Sequence, residues 1–313
     1  MSFPSFDIIG DIHGEADALR RLLSALGYVE QGRAGYISPP GRRALFVGDY
    51  IDRGPAIADC LRLVRAMVDS GNAIALLGNH EYNALALNHY ANGRALRSQD
   101  KWCQHKETHR QLCDASENYG AWLDWFRTLP LFFESASLRV VHACWDENHI
   151  GVLRRRLPDG CLPQEAMDEL FDKSGDLWRA VNCTLKGKEA MLPLGRTFCD
   201  TDGRDRSEMR IKWWSLGKCP SWREAAFENL DEAWAGESFD VGVLDTPWIY
   251  PPGAKPVFCG HYGLSGEPRL LAGNVCCVDY SVAKAGSLAA FRWGTGALSN
   301  GAFVKVPASC RVL

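Results

Sequence analysis

Asp11, His13, Asp49, Asn79 and His80 fall in three short blocks: Gly10-Asp11-Ile12-His13-Gly14, Gly48-Asp49-Tyr50-Ile51-Asp52-Arg53-Gly54 and Gly78-Asn79-His80-Glu81. Carboxylate, imidazole and amide oxygen without thiolate form a donor set suited to two divalent ions such as Mn, Fe or Zn. Two such ions roughly 3.5–4 Å apart can activate a water and clamp phosphoryl oxygens during in-line displacement. Asp49, in the central block, is the natural carboxylate to bridge them. Arg53 follows on the same turn, and its planar guanidinium can hold two phosphate oxygens at once. The chemistry these residue types offer is two-metal hydrolysis of a phosphate ester.

Each block ends a short apolar run: Phe6-Asp7-Ile8-Ile9, Ala44-Leu45-Phe46-Val47 and Ile74-Ala75-Leu76-Leu77. Helical spacing follows the first run at Leu19, Leu22, Leu23 and Leu26, and the second at Leu61, Val64, Met67 and Val68. Gly27 and Gly71 are the expected helix stops. This alternation predicts βαβ units and a largely parallel sheet. Later runs repeat the pattern. Leu138-Arg139-Val140-Val141 ends at His142, Val257-Phe258-Cys259 leads to Gly260-His261, and Val275-Cys276-Cys277-Val278 leads to Asp279. The carboxyl ends of strands in such sheets open onto a ligand crevice, so six distant segments can converge on one site.

The rest of the chain narrows the setting. At 313 residues, 46% apolar and 23% charged, it is an ordinary globular chain with room for a large core. A net charge of −3 offers no global field for nucleic acid or an anionic membrane, so neither is an expected partner. No apolar run approaches the roughly 20 residues that span a bilayer. The N-terminus has no apolar signal region, and the cysteines are scattered without a C-x-x-C pair. A cytoplasmic location with reduced thiols is the expectation. Between about 146 and 250 the periodicity weakens while aromatic residues persist, which reads as a cap-like insertion in a single domain spanning 1–313. Trp213-Trp214 reads as packing inside it, and Arg154-Arg155-Arg156 as a solvated face. His89, His105, His109 and His149 have no such context and read as core or surface residues.

On the three blocks, with His142 and Gly260-His261, the chain resembles the calcineurin-like metallophosphoesterases. More narrowly it is similar to the PPP-type serine/threonine phosphatases and their bacterial relatives, symmetrical diadenosine tetraphosphate hydrolases among them. The resemblance implies an α/β fold, a four-layer α/β/β/α sandwich with an inserted α-rich cap. It implies that Asp11, His13 and Asp49 hold one metal, and that Asp49, Asn79, His142 and His261 hold the second. His80 would protonate the leaving oxygen, held and charged by Asp52, while Arg53 and Asn79 bind the phosphate. A second phosphate-binding arginine is implied, with Arg210 favoured over Arg179. Asp279 would orient a ligand histidine from outside the metal's own ligands. Tyr262-Gly263 stands where other branches of the superfamily carry a second histidine, which favours the PPP-like ligand set. The implied reaction is direct attack of metal-bound hydroxide on a phosphate monoester. A protein phosphoserine or phosphothreonine is the leading substrate. The alternative is a nucleotide: diadenosine tetraphosphate, or an RNA-end or cyclic phosphate.

Overall fold

Alternation along the strands sorts the apolar side chains into separate cores. The computed structural model describes residues 5–309, apart from 92–93, 97–101, 115–117, 194, 200–202, 204, 217–219 and 295. In β1 (Ser5–Ile9), Phe6 and Ile8 face one way and Ile9 the other. β2 (Arg42–Phe46) sends Leu45 inward and Ala44 and Phe46 outward. With β3 (Ala73–Ala75) these strands pair in parallel, Ile8 beside Leu45 and Leu45 beside Ile74. A second sheet holds β4 (Phe132–Glu134), β5 (Arg139–Val141), β6 (Val257–Cys259) and β7 (Val275–Cys277). Its Val140, Phe258 and Cys276 share one buried cluster with Ile8 and Leu45, so the two sheets stack face to face.

The sheets are mixed, not largely parallel. β8 (Asp279–Tyr280) and β10 (Phe303–Pro307) both run antiparallel to β9 (Ser287–Trp293), which itself runs antiparallel to β1 with Trp293 beside Phe6. β4 is antiparallel to β5. Parallel neighbours need a long crossover such as a helix, and the short connections at the C-terminal end supply none.

Helices cover the outer faces. α1 (Ala16–Ala25) buries Leu19, Leu22 and Leu23, and α2 (Ile57–Asp69) buries Leu61, Val64 and Met67. Each fully buried leucine there is worth about 1.5–3 kcal/mol relative to exposure. α3 (Asn79–Leu87), α4 (Trp102–Asp114) and α5 (Tyr119–Arg127) follow β3. Beyond the second sheet, Val141, Val257 and Val275 lie in one cluster with Ile150 and Leu153 of α6 (Glu147–Arg156) and Leu177 and Val181 of α7 (Asp176–Lys186). The first half of the expected cap therefore supplies the fourth layer. Among its described residues the second half holds two short antiparallel strand pairs, Glu189–Met191 with Glu208–Arg210 and Phe198–Cys199 with Asp205–Arg206, and two single helical turns, Trp222–Ala225 and Glu232–Ala235. These surround a small core of Met209, Ile211, Trp222 and Trp234, which absorbs the aromatic residues that lacked a helical period. Among the described residues no helix is long and apolar enough to cross a membrane.

Asp146 pins this arrangement. Its Oδ1 caps α6, accepting from the backbone N–H of Asn148 at 2.9 Å, while Oδ2 accepts from Lys188 Nζ at 2.6 Å and from Thr246 Oγ1. Both charged partners are buried. Lys188→Met should therefore strand a buried carboxylate and cost about 3–5 kcal/mol in urea unfolding. A loss no larger than the roughly 0–1 kcal/mol of a surface ion pair would show that Asp146 is solvated.

Candidate metal centre and active site

The strands end in strained turns, and the strain gathers at one place. Seven non-glycine residues among those described have a positive φ, and five of them are His13, Asp49, Asp52, Arg53 and His261. Such conformations cost of order 1–3 kcal/mol each and persist only where the surroundings impose them. Glycine does part of the imposing. A Cβ at Gly260 would stand 2.1 Å from Asp11 Oδ1, and one at Gly48 would stand 2.6 Å from the Gly78 backbone and 2.9 Å from His142 Nδ1. Bare backbone lets three strand ends close on one point.

There the side chains converge. Asp49 lies at the middle: its Oδ2 is 3.6 Å from His13 Nε2 and 3.9 Å from His80 Nε2, and its Oδ1 is 3.5 Å from His142 Nε2. Asn79 Oδ1 is 2.9 Å from His142 Nε2 and 2.7 Å from His261 Nδ1. Asp11 Oδ2 accepts the backbone N–H of His261 at 3.0 Å. Among the described residues three buried groups have the mutual spacing of metal ligands; two of them lie here, His13-Asp49-His80 and Asp11-Asp49-His142, and Asp146-His149-Cys183 is the third. Asp49 belongs to both of the first two. The grouping differs from the expected one in drawing His80 beside His13 and Asp11 toward His142.

The donor chemistry fits cations. His13 hands its Nδ1 proton to the Ile51 carbonyl at 2.9 Å and His142 hands its own to the Val47 carbonyl at 2.9 Å, which leaves each Nε2 lone pair facing the centre. Burial, with Arg53 and His80 nearby, holds His13 well below the usual histidine range; burial, His142 and Arg210 do the same to His261. Burial disfavours charge on His142, but Asp49 outweighs it and raises that pKa. Asp11 is pushed well above the carboxylate range by burial and then by Asp279 and Asp49. Its Oδ1 is buried with no hydrogen-bond partner. A buried carboxylate oxygen left bare among lone pairs is what a divalent ion would satisfy.

Beside the centre stands a separate pair. His80 Nδ1 lies 2.5 Å from Asp52 Oδ2, and its Nε2 turns toward Asp49. Burial raises the pKa of Asp52, but hydrogen bonds from His105 and His80 outweigh it and hold the carboxyl far below its ordinary range. Arg53, exposed to solvent, donates to His13 Nε2 at 2.8 Å and His80 Nε2 at 3.3 Å. At the other end, Arg210 donates to Glu228 at 2.6 Å, stacks over Phe227 and Tyr262, and brings an N–H to 3.5 Å from the His261 carbonyl. Arg179 is directed elsewhere, to Asp245 at 3.3 Å and the Ser174 carbonyl. Asp279 does not grip a ligand ring: it accepts from the backbone N–H of Gly263 at 2.5 Å and of Ser281 at 3.0 Å, fixing the loop just after His261.

Two further groups escaped the sequence reading. Glu81, the last residue of its block, is fully buried and accepts backbone N–H groups of Gly78, Asp49, Tyr50 and Ile51 at 2.8–3.3 Å, clamping two of the blocks together. Burial and Asp49 push its pKa up to about 7. Its position inside the third block was the available signal. His105 and Thr108, on α4, both reach Asp52; nothing in their spacing from the blocks announces it. Trp213 and Trp214 are packing residues, with Trp213 Nε1 donating to Tyr262 Oη at 2.8 Å.

Comparison with known proteins adds to this geometry. The family profile of calcineurin-like phosphoesterases matches residues 4–263. The symmetrical bis(5'-nucleosyl)-tetraphosphatase of Methylococcus capsulatus is 28% identical over 298 residues, 91% of this chain and 90% of that protein. That of Aromatoleum aromaticum is 26% identical over 292 residues, 86% and 88% of the two chains. The asymmetrical bis(5'-nucleosyl)-tetraphosphatase of Halalkalibacterium halodurans is 49% identical over 75 residues, 24% of this chain and 30% of that protein. Among solved structures, the cold-active protein-tyrosine phosphatase of a psychrophilic Shewanella aligns with a TM-score of 0.50 at 18% identity, covering 98% of this chain and 81% of that one. A protein serine/threonine phosphatase from Saccharomyces cerevisiae also gives 0.50, at 15% identity and coverages of 99% and 81%. These two likenesses concern the fold.

Proposed function

This chain belongs to the calcineurin-like phosphoesterase family, and we propose that within it the protein is a nucleotide-directed phosphohydrolase that cleaves dinucleoside polyphosphates. The observation that carries the reading is the span of the named symmetrical tetraphosphatases, which align over 86–91% of the chain and so through the region from 146 to 250. That region supplies Arg210, which reaches to 3.5 Å from the His261 carbonyl. A protein phosphatase, the leading expectation from the motifs, shares only a fold with the solved phosphatases. The arrangement of cations supports the nucleotide reading. Arg53 sits at the His13 and His80 end of the ligand row and Arg210 at the His261 end, a spread suited to a ligand with more than one phosphate.

In this reading Asp11, His13, Asp49, Asn79, His142 and His261 would hold two divalent cations. Those ions would supply Lewis acidity toward the phosphoryl oxygens and an activated water. The protein's own groups do the rest. Arg53 takes phosphoryl oxygens with the N–H groups that now reach the two imidazoles. His80 presents Nε2 to the leaving oxygen as the proton donor, and Asp52 stabilises the imidazolium from behind. Arg210 offers charge to the next phosphate.

Side-by-side assays with Mn of diadenosine tetraphosphate, a phosphoserine peptide and a 2',3'-cyclic nucleotide test this. The expected result is preferred turnover of the dinucleotide, with two ADP reporting symmetrical cleavage and ATP plus AMP asymmetrical cleavage. Efficient release of phosphate from the peptide with the dinucleotide untouched would return the reading to a protein phosphatase.

A further inference from the structure

His105, Thr108 and Gln111 recur every third residue along α4 and therefore share one face. All three engage the loop that carries Asp52. His105 Nδ1 is 3.0 Å from Asp52 Oδ1, and Thr108 Oγ1 donates to the same oxygen at 2.5 Å while accepting the Asp52 backbone N–H at 3.0 Å. Gln111 accepts the Ile57 N–H at 2.8 Å and donates to the Gly54 carbonyl at 3.4 Å. His105 and Thr108 are fully buried. The loop needs such a brace, because Asp52 and Arg53 are consecutive non-glycine residues with φ of 65° and 70°.

The bond to Asp52 has a fixed direction. The ionised Asp52 can only accept, so His105 donates from Nδ1. Asn88 Nδ2 donates to the Tyr119 oxygen at 3.1 Å, and the Tyr119 hydroxyl lies 2.6 Å from His105 Nε2. With Asn88 donating to the phenol oxygen, the Tyr119 proton is free to point at Nε2, the arrangement that goes with a His105 proton on Nδ1. Burial pushes the Tyr119 phenol up, so it remains a donor.

We infer that His105, locked in this tautomer by Tyr119, is a positioning residue that fixes the Asp52 carboxylate so that its other oxygen aims and charges His80. The inference rests on the reading of His80 as proton donor. A neutral partner on Oδ1 leaves the carboxylate's full negative charge for the imidazole on Oδ2, which a second cation there would share.

The test compares phenyl phosphate, a poor leaving group, with p-nitrophenyl phosphate, a good one, using the Mn-loaded protein. His105→Ala should lower kcat on phenyl phosphate about 10–100-fold, the range typical of removing a hydrogen-bond partner that orients a site residue from behind. KM should hold, and the loss on p-nitrophenyl phosphate should be smaller. His105→Asn, whose amide can donate to Asp52 in place of Nδ1, should recover most of the loss. Tyr119→Phe should move kcat the same way by less, and it serves if His105→Ala does not fold. Nitrogen NMR of the imidazoles should find His105 with its proton on Nδ1 alone. Equal losses on both esters, no recovery by asparagine, or a ring protonated at Nε2 would each overturn the inference. His80→Asn, run beside these, separates the failures. If it too loses equally on both esters, the donor role of His80 falls; if it alone discriminates them, only the role of His105 falls.

Discussion

Asp49→Asn should strip both metal ions from the protein and take activity with them. Each Asp49 oxygen faces a different half of the centre, Oδ2 toward His13 and His80 and Oδ1 toward His142. The amide keeps one oxygen and replaces the other with an N–H2 group, pointing protons where a cation needs a lone pair. It also removes a charge whose value the surroundings reveal. Burial opposes ionisation of Asp49, yet His142 and His80 outweigh it and hold its carboxyl well below the usual range. Asp11 cannot take over both roles, because its Oδ2 already accepts the His261 backbone N–H and only its Oδ1 is left without a hydrogen-bond partner. The loss of activity should exceed the roughly 10–100-fold typical of removing an outer partner. Elemental analysis after dialysis, with circular dichroism to verify the fold, is the measurement. Two ions retained per chain would contradict the shared role of Asp49.

The reach of the sequence follows from where the information for each feature lies. Asp11, Asp49 and Asn79 were legible because strand ends must open onto the crevice and because residue type alone states what each can bind. His142 and His261 were legible for the same reason, at the ends of β5 and β6. The antiparallel half of the sheets was not, since Ser287–Trp293 is as apolar as a parallel strand and its direction depends on a short connection. That α6 and α7 form the layer over the second sheet is not legible in the sequence, because Ile150, Leu153, Leu177 and Val181 reveal their target only once the outer face of that sheet is known. His105 was illegible for a different reason. A histidine on a polar helix has no local mark of function; its meaning comes from Asp52, fifty-three residues earlier and brought near only by the fold. Glu81 was overlooked inside a recognised block, its carboxylate spent on backbone N–H groups and not on a ligand.

His80→Asn should leave both ions in place and lower kcat by roughly 10²–10⁴ on a phosphate ester whose leaving group is a poor anion. In the proposed mechanism the side chain lowers the barrier by protonating the departing oxygen, and its Asp52 contact at 2.5 Å aims the ring. The anchoring bond from His80 to the metal centre survives the substitution, because it is the backbone N–H that donates to Asp49 Oδ1 at 2.9 Å. Loss of an ion would show instead that His80 is a ligand, as its place beside His13 and Asp49 allows. The size of the effect should also depend on the substrate. A departing phosphate, with a second pKa of about 6, is already stable as an anion at neutral pH, whereas a phenolate, near 10, is not. A dinucleoside polyphosphate should therefore lose less to His80→Asn than phenyl phosphate does. If the two substrates fall by the same factor, proton donation is not what limits either, and His80 must act on the phosphoryl group itself.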